Sequence, residues 1–170
     1  MSNAHIVQNR PRVNTAQPFE ALPRPTKPAH VIRSETEAVE VARRLAGEFA
    51  VESALRDREG FLPIAEIDAY SQSGLWGITV PKAYGGAGVS YATLAEVIRI
   101  LAEADSSIAQ ITQNHLALVA HIELDATPEQ KKELFGLVLQ GLRFGNAFSE
   151  KGSKTVAAFE TKLKRQGDVA

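Results

Sequence analysis

Hydrophobic residues recur every three or four positions through most of the chain between residues 34 and 143. This spacing is typical of amphipathic helices that bury one face. Capping signals precede two of the repeats, SETE at 34–37 and TPEQ at 127–130, and both have the pattern of a capping box. The pattern predicts five helices, which begin near Ser34, Pro63, Ser90, Ser107 and Thr127.

Residues 144–170 have a different pattern, in which Phe159, Thr161 and Leu163 alternate with charged residues. A period of two is typical of β-strands, and QGD at 166–168 indicates a turn. A lone hairpin is only marginally stable. We therefore expect either that another chain completes this sheet or, as we favour, that the 170 residues are a fragment of a longer protein.

Residues 1–33 contain five of the eight prolines, and five Lys or Arg against one acidic residue, Glu20. Proline at this density blocks helix and sheet formation. The segment is predicted to be an extended or disordered arm, or alternatively an arm that wraps a neighbouring subunit. The chain is thus predicted to be mainly α, with a proline-rich arm (1–33), a helical bundle (34–143) and the start of a β domain (144–170).

The composition excludes several classes of function. A net charge of −1 gives no indication of nucleic-acid or membrane-surface binding, and no apolar run approaches the roughly 20 residues that span a bilayer. The absence of cysteine excludes disulfides, thiolate catalysis and cysteine-ligated zinc. These features predict a cytoplasmic protein that binds neither nucleic acid nor membrane.

The densest glycine cluster is WGITVPKAYGGAG at 76–88. A Walker loop needs Lys and Ser or Thr after its last glycine, but Val89 and Ser90 follow Gly88, and the glycine spacing does not match a Rossmann loop. The cluster is therefore predicted to be a tight corner before the third helix, sealed by Trp76, Ile78 and Val80.

His115 lies on the predicted apolar stripe of the fourth helix, formed by Ile108, Ile111, Leu118 and Ile122. Two interpretations follow: a core histidine with satisfied hydrogen bonds, or a histidine that faces a pocket at the junction between helices and sheet. No second histidine or carboxylate shares this face at ligand spacing, so no metal site is predicted.

The segment GNAFSEKGSKT at 145–155 could bind a polar or anionic ligand through backbone donors and hydroxyls, or it could be a solvated loop.

The order of these segments resembles the N-terminal part of the acyl-CoA dehydrogenase superfamily, over about residues 35–170. That family has a Gly-[ILV]-[ST]-[VI]-Pro-x-x-[YF]-Gly-Gly-x-Gly corner, which is matched by Gly77, Ile78, Thr79, Val80, Pro81, Tyr84, Gly85, Gly86 and Gly88. The resemblance implies an N-terminal helical domain, a middle β domain in which this chain would end, and a C-terminal bundle, with flavin between the last two.

The resemblance also implies site residues. NAFSE at 146–150 matches the first part of the family's flavin motif, so Asn146, Phe148 and Ser149 are implied flavin contacts. Thr155 occupies the place of a serine that contacts the CoA arm in the dehydrogenases. Lys151 replaces the proline of that motif, which weakens the case for a CoA thioester as substrate.

DSSIAQITQNHLAL and NAFSE are most similar to the sulfur-acquisition branch, which includes flavin monooxygenases of the dibenzothiophene-desulfurization type. This similarity implies a homo-oligomer that uses reduced flavin (FMN or FAD) and oxygen on a small organosulfur compound, with a partner flavin reductase. His115 would then hydrogen-bond to a flavin–oxygen adduct. The alternatives are an acyl-CoA dehydrogenase with FAD and a non-catalytic helical interaction module. The 170 residues alone are expected to be inactive.

Overall fold

The computed structural model describes residues 28–146 and a few positions beyond them, namely Thr155, Ala158, Glu160, Thr161, Lys162, Lys164 and Gly167. The described residues contain helices and no strands, which confirms the mainly α fold class. The helices are α1 (Glu35–Ala50), α2 (Ser53–Glu59), α3 (Ile64–Ser73), α4 (Tyr91–Ala104), α5 (Ser106–Asp125) and α6 (Pro128–Leu139). Two 3₁₀ turns, Leu75–Gly77 and Lys82–Tyr84, lie between α3 and α4.

The five predicted helices correspond to α1, α3, α4, α5 and α6. The short helix α2 was not predicted; it has seven residues and is capped at its C-terminal end by Gly60, which has a φ of 65°. Its sequence is too short and too charged to show a hydrophobic period. Residues 144–146 have no regular structure, while Phe159 and Leu163, on which the strand prediction rests, lie outside the described residues.

The core of the bundle forms where α1 packs along α4 and α4 packs against α5. Ala38 and Ala42 of α1 are fully buried, and their small side chains let the neighbouring helix approach closely. Larger residues fill the remaining space: Leu45, Phe49, Tyr70, Leu75, Trp76, Ile78, Val80, Val97, Leu101, Ile108 and Phe135.

The buried face of α5 differs from the predicted stripe. Ile111 is 43% exposed, whereas Thr112 and His115 are fully buried. The prediction followed the largest aliphatic side chains, but the face that meets the bundle runs through Ile108, Ala109, Thr112, His115, Leu116 and Val119. The face is thus rotated toward smaller residues, and His115 remains on it.

One of the two predicted capping boxes forms completely. At the start of α6, the Thr127 hydroxyl accepts from the Gln130 N–H while the Gln130 side chain accepts from the Thr127 N–H. At the start of α1, Ser34 caps the Glu37 N–H as predicted. The Glu37 carboxylate, however, accepts from the Arg33 N–H (2.7 Å) rather than from the capping residue.

The described end of the predicted arm packs on the bundle. Ala29 and Ile32 are buried, and the His30 N–H donates to the Gln72 carbonyl over 3.0 Å. A Cβ on Gly74 would lie 2.3 Å from the His30 carbonyl oxygen, so only glycine lets the chain cross there. Residues 1–27 lie outside the described part of the chain.

A bilayer-spanning segment is not found among the helices of the described residues, each of which is too short or too polar for that role.

Candidate functional site

The glycine cluster forms a corner that closes on its own backbone. The Gly88 N–H donates to the Val80 carbonyl (2.9 Å), and the Val89 N–H donates to the Ile78 carbonyl (3.0 Å). Gly85 and Gly88 adopt φ values of 91° and 56°, which favour glycine. These N–H groups are used inside the turn, and the corner is therefore structural, as predicted, rather than a phosphate loop.

The corner is sealed by Trp76, Ile78 and Val80, none of which is more than 1% exposed, as predicted. The indole N–H of Trp76 donates to the Ser71 hydroxyl over 3.0 Å. The indole ring also packs on Tyr70, with 4.2 Å between ring centroids. Trp76 is thereby fixed in both position and orientation.

His115 projects from α5 into this corner. Its Nε2 lies 3.0 Å from the carbonyl oxygen of Trp76, and its Nδ1 lies 3.0 Å from the backbone nitrogen of Phe144. A backbone N–H can only donate, so Nδ1 accepts and the ring proton is on Nε2, where it donates to Trp76. The imidazole meets the Trp76 ring edge-on at 4.7 Å and stacks on the Phe144 ring at 5.6 Å.

His115 is neutral at physiological pH. Its pKa is lowered to about 4: burial is the main cause, the bond to the Trp76 carbonyl opposes it, and charge repulsion from Arg143 adds a smaller lowering. The geometry corresponds to a core histidine with satisfied hydrogen bonds. A direct contact with flavin would require one of its two bonds to break.

Gly145 and Asn146, the two described residues that directly follow Phe144, lie at the surface. Asn146 is exposed, and Thr155 is an exposed residue whose carbonyl accepts from the Ala158 N–H (3.1 Å). Phe148 and Ser149, the other implied flavin contacts, lie outside the described residues. The described residues therefore show where the implied flavin motif begins, at Asn146.

A buried charge cluster lies at the start of α5, and no pattern in the sequence indicates it. Arg56 of α2 is 5% exposed and donates to Glu66 (2.8 Å), to Asp105 (2.6 Å) and to the Phe49 carbonyl (2.7 Å). Asp105 also caps α5 by accepting from the Ile108 N–H. The cluster borders a cavity of about 200 Å³ and joins α1, α2 and α3 to the start of α5.

Within the described ranges, His, Asp and Glu form no group of three that could hold a metal ion.

The comparisons with known proteins agree with this geometry. The family described as "Acyl-CoA dehydrogenase, N-terminal domain" matches residues 33–141, which include the glycine corner and His115. A probable FMNH2-dependent monooxygenase from Pseudomonas putida, SfnC, is 38% identical over 120 residues, which are 70% of this chain and 30% of that protein.

Two solved structures are similar to this chain. Methanesulfinate monooxygenase MsuC from Pseudomonas fluorescens is 36% identical with a TM-score of 0.62, over 68% of this chain and 30% of that one. The dibenzothiophene monooxygenase TdsC from Paenibacillus sp. A11-2, in its FMN-bound form, is 37% identical with a TM-score of 0.57, over 60% of this chain and 26% of that one.

The chain thus spans about 30% of the length of these relatives. The family match covers well over half of the 170 residues, and it includes the corner, α5 and the end of α6. The chain belongs to the acyl-CoA dehydrogenase family, of which it contains the N-terminal domain.

Proposed function

We propose that the protein is a flavin-dependent monooxygenase that uses reduced FMN and oxygen to oxidise a small organosulfur compound in sulfur acquisition. One observation carries the proposal: the helical domain is 36–38% identical to monooxygenases named for FMNH2, methanesulfinate or dibenzothiophene. Bound reduced flavin would supply two electrons, so that one atom of O2 enters the sulfur compound and the other becomes water.

Asn146, the first residue of the implied flavin motif, supports a flavin site. It is an exposed residue, and its side-chain amide carries both a donor and an acceptor suited to the polar edge of a flavin ring. We propose that Asn146, Phe148 and Ser149 contact the flavin and that Thr155 contacts the substrate. FMN is favoured over FAD because SfnC is named as a probable FMNH2-dependent monooxygenase and TdsC was solved with FMN bound.

The partners belong to the same proposal. A monooxygenase that takes up reduced flavin needs a source of it, which a separate flavin reductase would supply. We propose such a reductase as a partner, a homo-oligomer as the active form and the cytoplasm as the compartment.

Flavin binding and oxygen uptake by the full-length protein test the proposal. We expect FMNH2, generated anaerobically, to bind and to cause oxygen consumption coupled to oxidation of a sulfinate, sulfone or thiophene when air is admitted. Anaerobic reduction of bound FAD by an acyl-CoA would indicate a dehydrogenase instead. Absence of affinity for either flavin would indicate a non-catalytic interaction module.

A further inference from the structure

We infer that His115 is a positioning residue that clips the start of the implied flavin-contacting segment, at Phe144, to α5 beside the glycine corner. The clip consists of Trp76, His115 and Phe144. This role rests on the proposed function, because the clip matters only if the segment that begins at Asn146 contacts the flavin.

Three segments far apart in sequence meet at this imidazole. The His115 ring is carried by α5; its Nε2–H donates to the Trp76 carbonyl of the corner, and its Nδ1 accepts from the Phe144 N–H. The ring is fully buried and lies between the two aromatic side chains. Rotation of the ring would break both hydrogen bonds and both ring contacts, so its orientation is fixed.

Phe144 is the point at which the chain leaves the bundle. Up to Leu142, backbone bonds tie the chain to the end of α6: the Gly141 N–H donates to Val138 and the Leu142 N–H donates to Leu137. Phe144 is half-buried, whereas Gly145 and Asn146 are exposed. Within residues 28–146, the bond from the Phe144 N–H to His115 is the hydrogen bond nearest to Asn146 in the sequence.

Histidine suits this position because a neutral imidazole presents one donor and one acceptor on opposite edges of a rigid ring. Burial keeps Nδ1 unprotonated near neutral pH, since it lowers the pKa of the ring to about 4. The corner is itself rigid, because its glycines and Trp76 are locked by internal hydrogen bonds. The bond to Trp76 thereby orients the ring against the corner, and the bond to Phe144 fixes the start of the segment at Asn146 relative to α5.

Two substitutions separate the two bonds. In His115→Gln, the amide nitrogen reaches the place of Nε2 and retains the bond to Trp76, but the acceptor for Phe144 is lost. In His115→Asn, the amide oxygen stands near Nδ1 and retains that acceptor, but the bond to Trp76 is lost. Each variant loses one buried hydrogen bond, so a purely structural role predicts similar effects of both.

The experiment compares the full-length wild-type protein with the two variants. Three properties are measured: backbone amide exchange at residues 142–146 in the absence of flavin, FMN affinity by fluorescence quenching, and thermal stability. We expect His115→Gln to accelerate exchange at Phe144 and to weaken FMN binding about tenfold, the effect of one lost hydrogen bond. His115→Asn should retain both within about threefold, although its thermal stability falls similarly. Equal changes of FMN affinity in the two variants would overturn the inference.

A second pair keeps the test decisive if either variant fails to fold. Phe144→Pro removes the N–H that donates to His115, whereas Phe144→Ala removes the same ring and keeps the N–H. The clip predicts weaker FMN binding in the proline variant than in the alanine variant, and equal binding would contradict it. If the wild-type protein binds no FMN, the proposed function fails, while amide exchange at Phe144 still reports whether the clip exists.

Discussion

At the scale of single residues, Gly86 is the position in the corner that tolerates a side chain least. Its φ is not positive, so its backbone is open to any residue. A Cβ at this position would nevertheless lie 2.1 Å from the Val80 carbonyl oxygen and 2.6 Å from the Val80 Cβ. The constraint is therefore the close approach of another backbone segment rather than a backbone angle.

Gly86→Ala should destabilise the protein by about 3 kcal/mol or more, because the corner must open to admit the methyl group. Gly47→Ala is the matched control: Gly47 is exposed within α1, and its Cβ would meet nothing within 4 Å. There alanine should stabilise by up to about 1 kcal/mol through helix propensity. Urea unfolding measures both, and a Gly86→Ala variant as stable as wild type would contradict this account of the corner.

The sequence predicted the role of the corner but not the particular importance of Gly86. The failed match to phosphate-loop motifs and the apolar Trp76, Ile78 and Val80 indicated a structural turn. The contact of Gly86 with Val80 depends on how the turn closes in three dimensions, which spacing does not encode. Likewise, spacing placed His115 on the buried face of α5, but it could not identify Phe144 as a partner 29 positions away.

At the scale of elements, α2 matters through one side chain. Arg56 is its only buried residue, and it joins α2 to Glu66 of α3 and to Asp105, the residue that caps α5. Sequence periodicity could not find this helix, because its stability depends on a polar contact with distant segments rather than on an apolar stripe. On α5 the prediction followed the large aliphatic side chains, but Ile111 is exposed while the smaller Ala109 and Thr112 are buried.

Arg56→Met should destabilise the bundle by about 3–5 kcal/mol, because the carboxylates of Glu66 and Asp105 would stay mostly buried without their shared cation. Arg44→Met is the control, since Arg44 pairs with Glu48 on the surface of α1 and should contribute less than about 1 kcal/mol. Chemical unfolding at neutral pH compares the two variants. A loss of less than about 1 kcal/mol for Arg56→Met would show that the cluster is dispensable.

At the scale of the whole molecule, the described bundle provides a rigid base at the corner and an exit for the chain at Phe144. The fold class and family could be predicted because the corner motif and the helical periods are local features of the sequence. The geometry of the flavin site could not be predicted from the sequence in the same way. Its implied residues Phe148 and Ser149 lie outside the described part of the chain, and the chain matches only about 30% of the length of SfnC.

The most direct test of the proposed chemistry is the origin of the oxygen in the product. The full-length protein is supplied with FMNH2, an organosulfur compound such as a sulfinate, and ¹⁸O2, and the product is analysed by mass spectrometry. A monooxygenase predicts one ¹⁸O atom in each oxidised molecule, because the other atom leaves as water. A product without the label, or turnover of an acyl-CoA in the absence of oxygen, would contradict the proposed function.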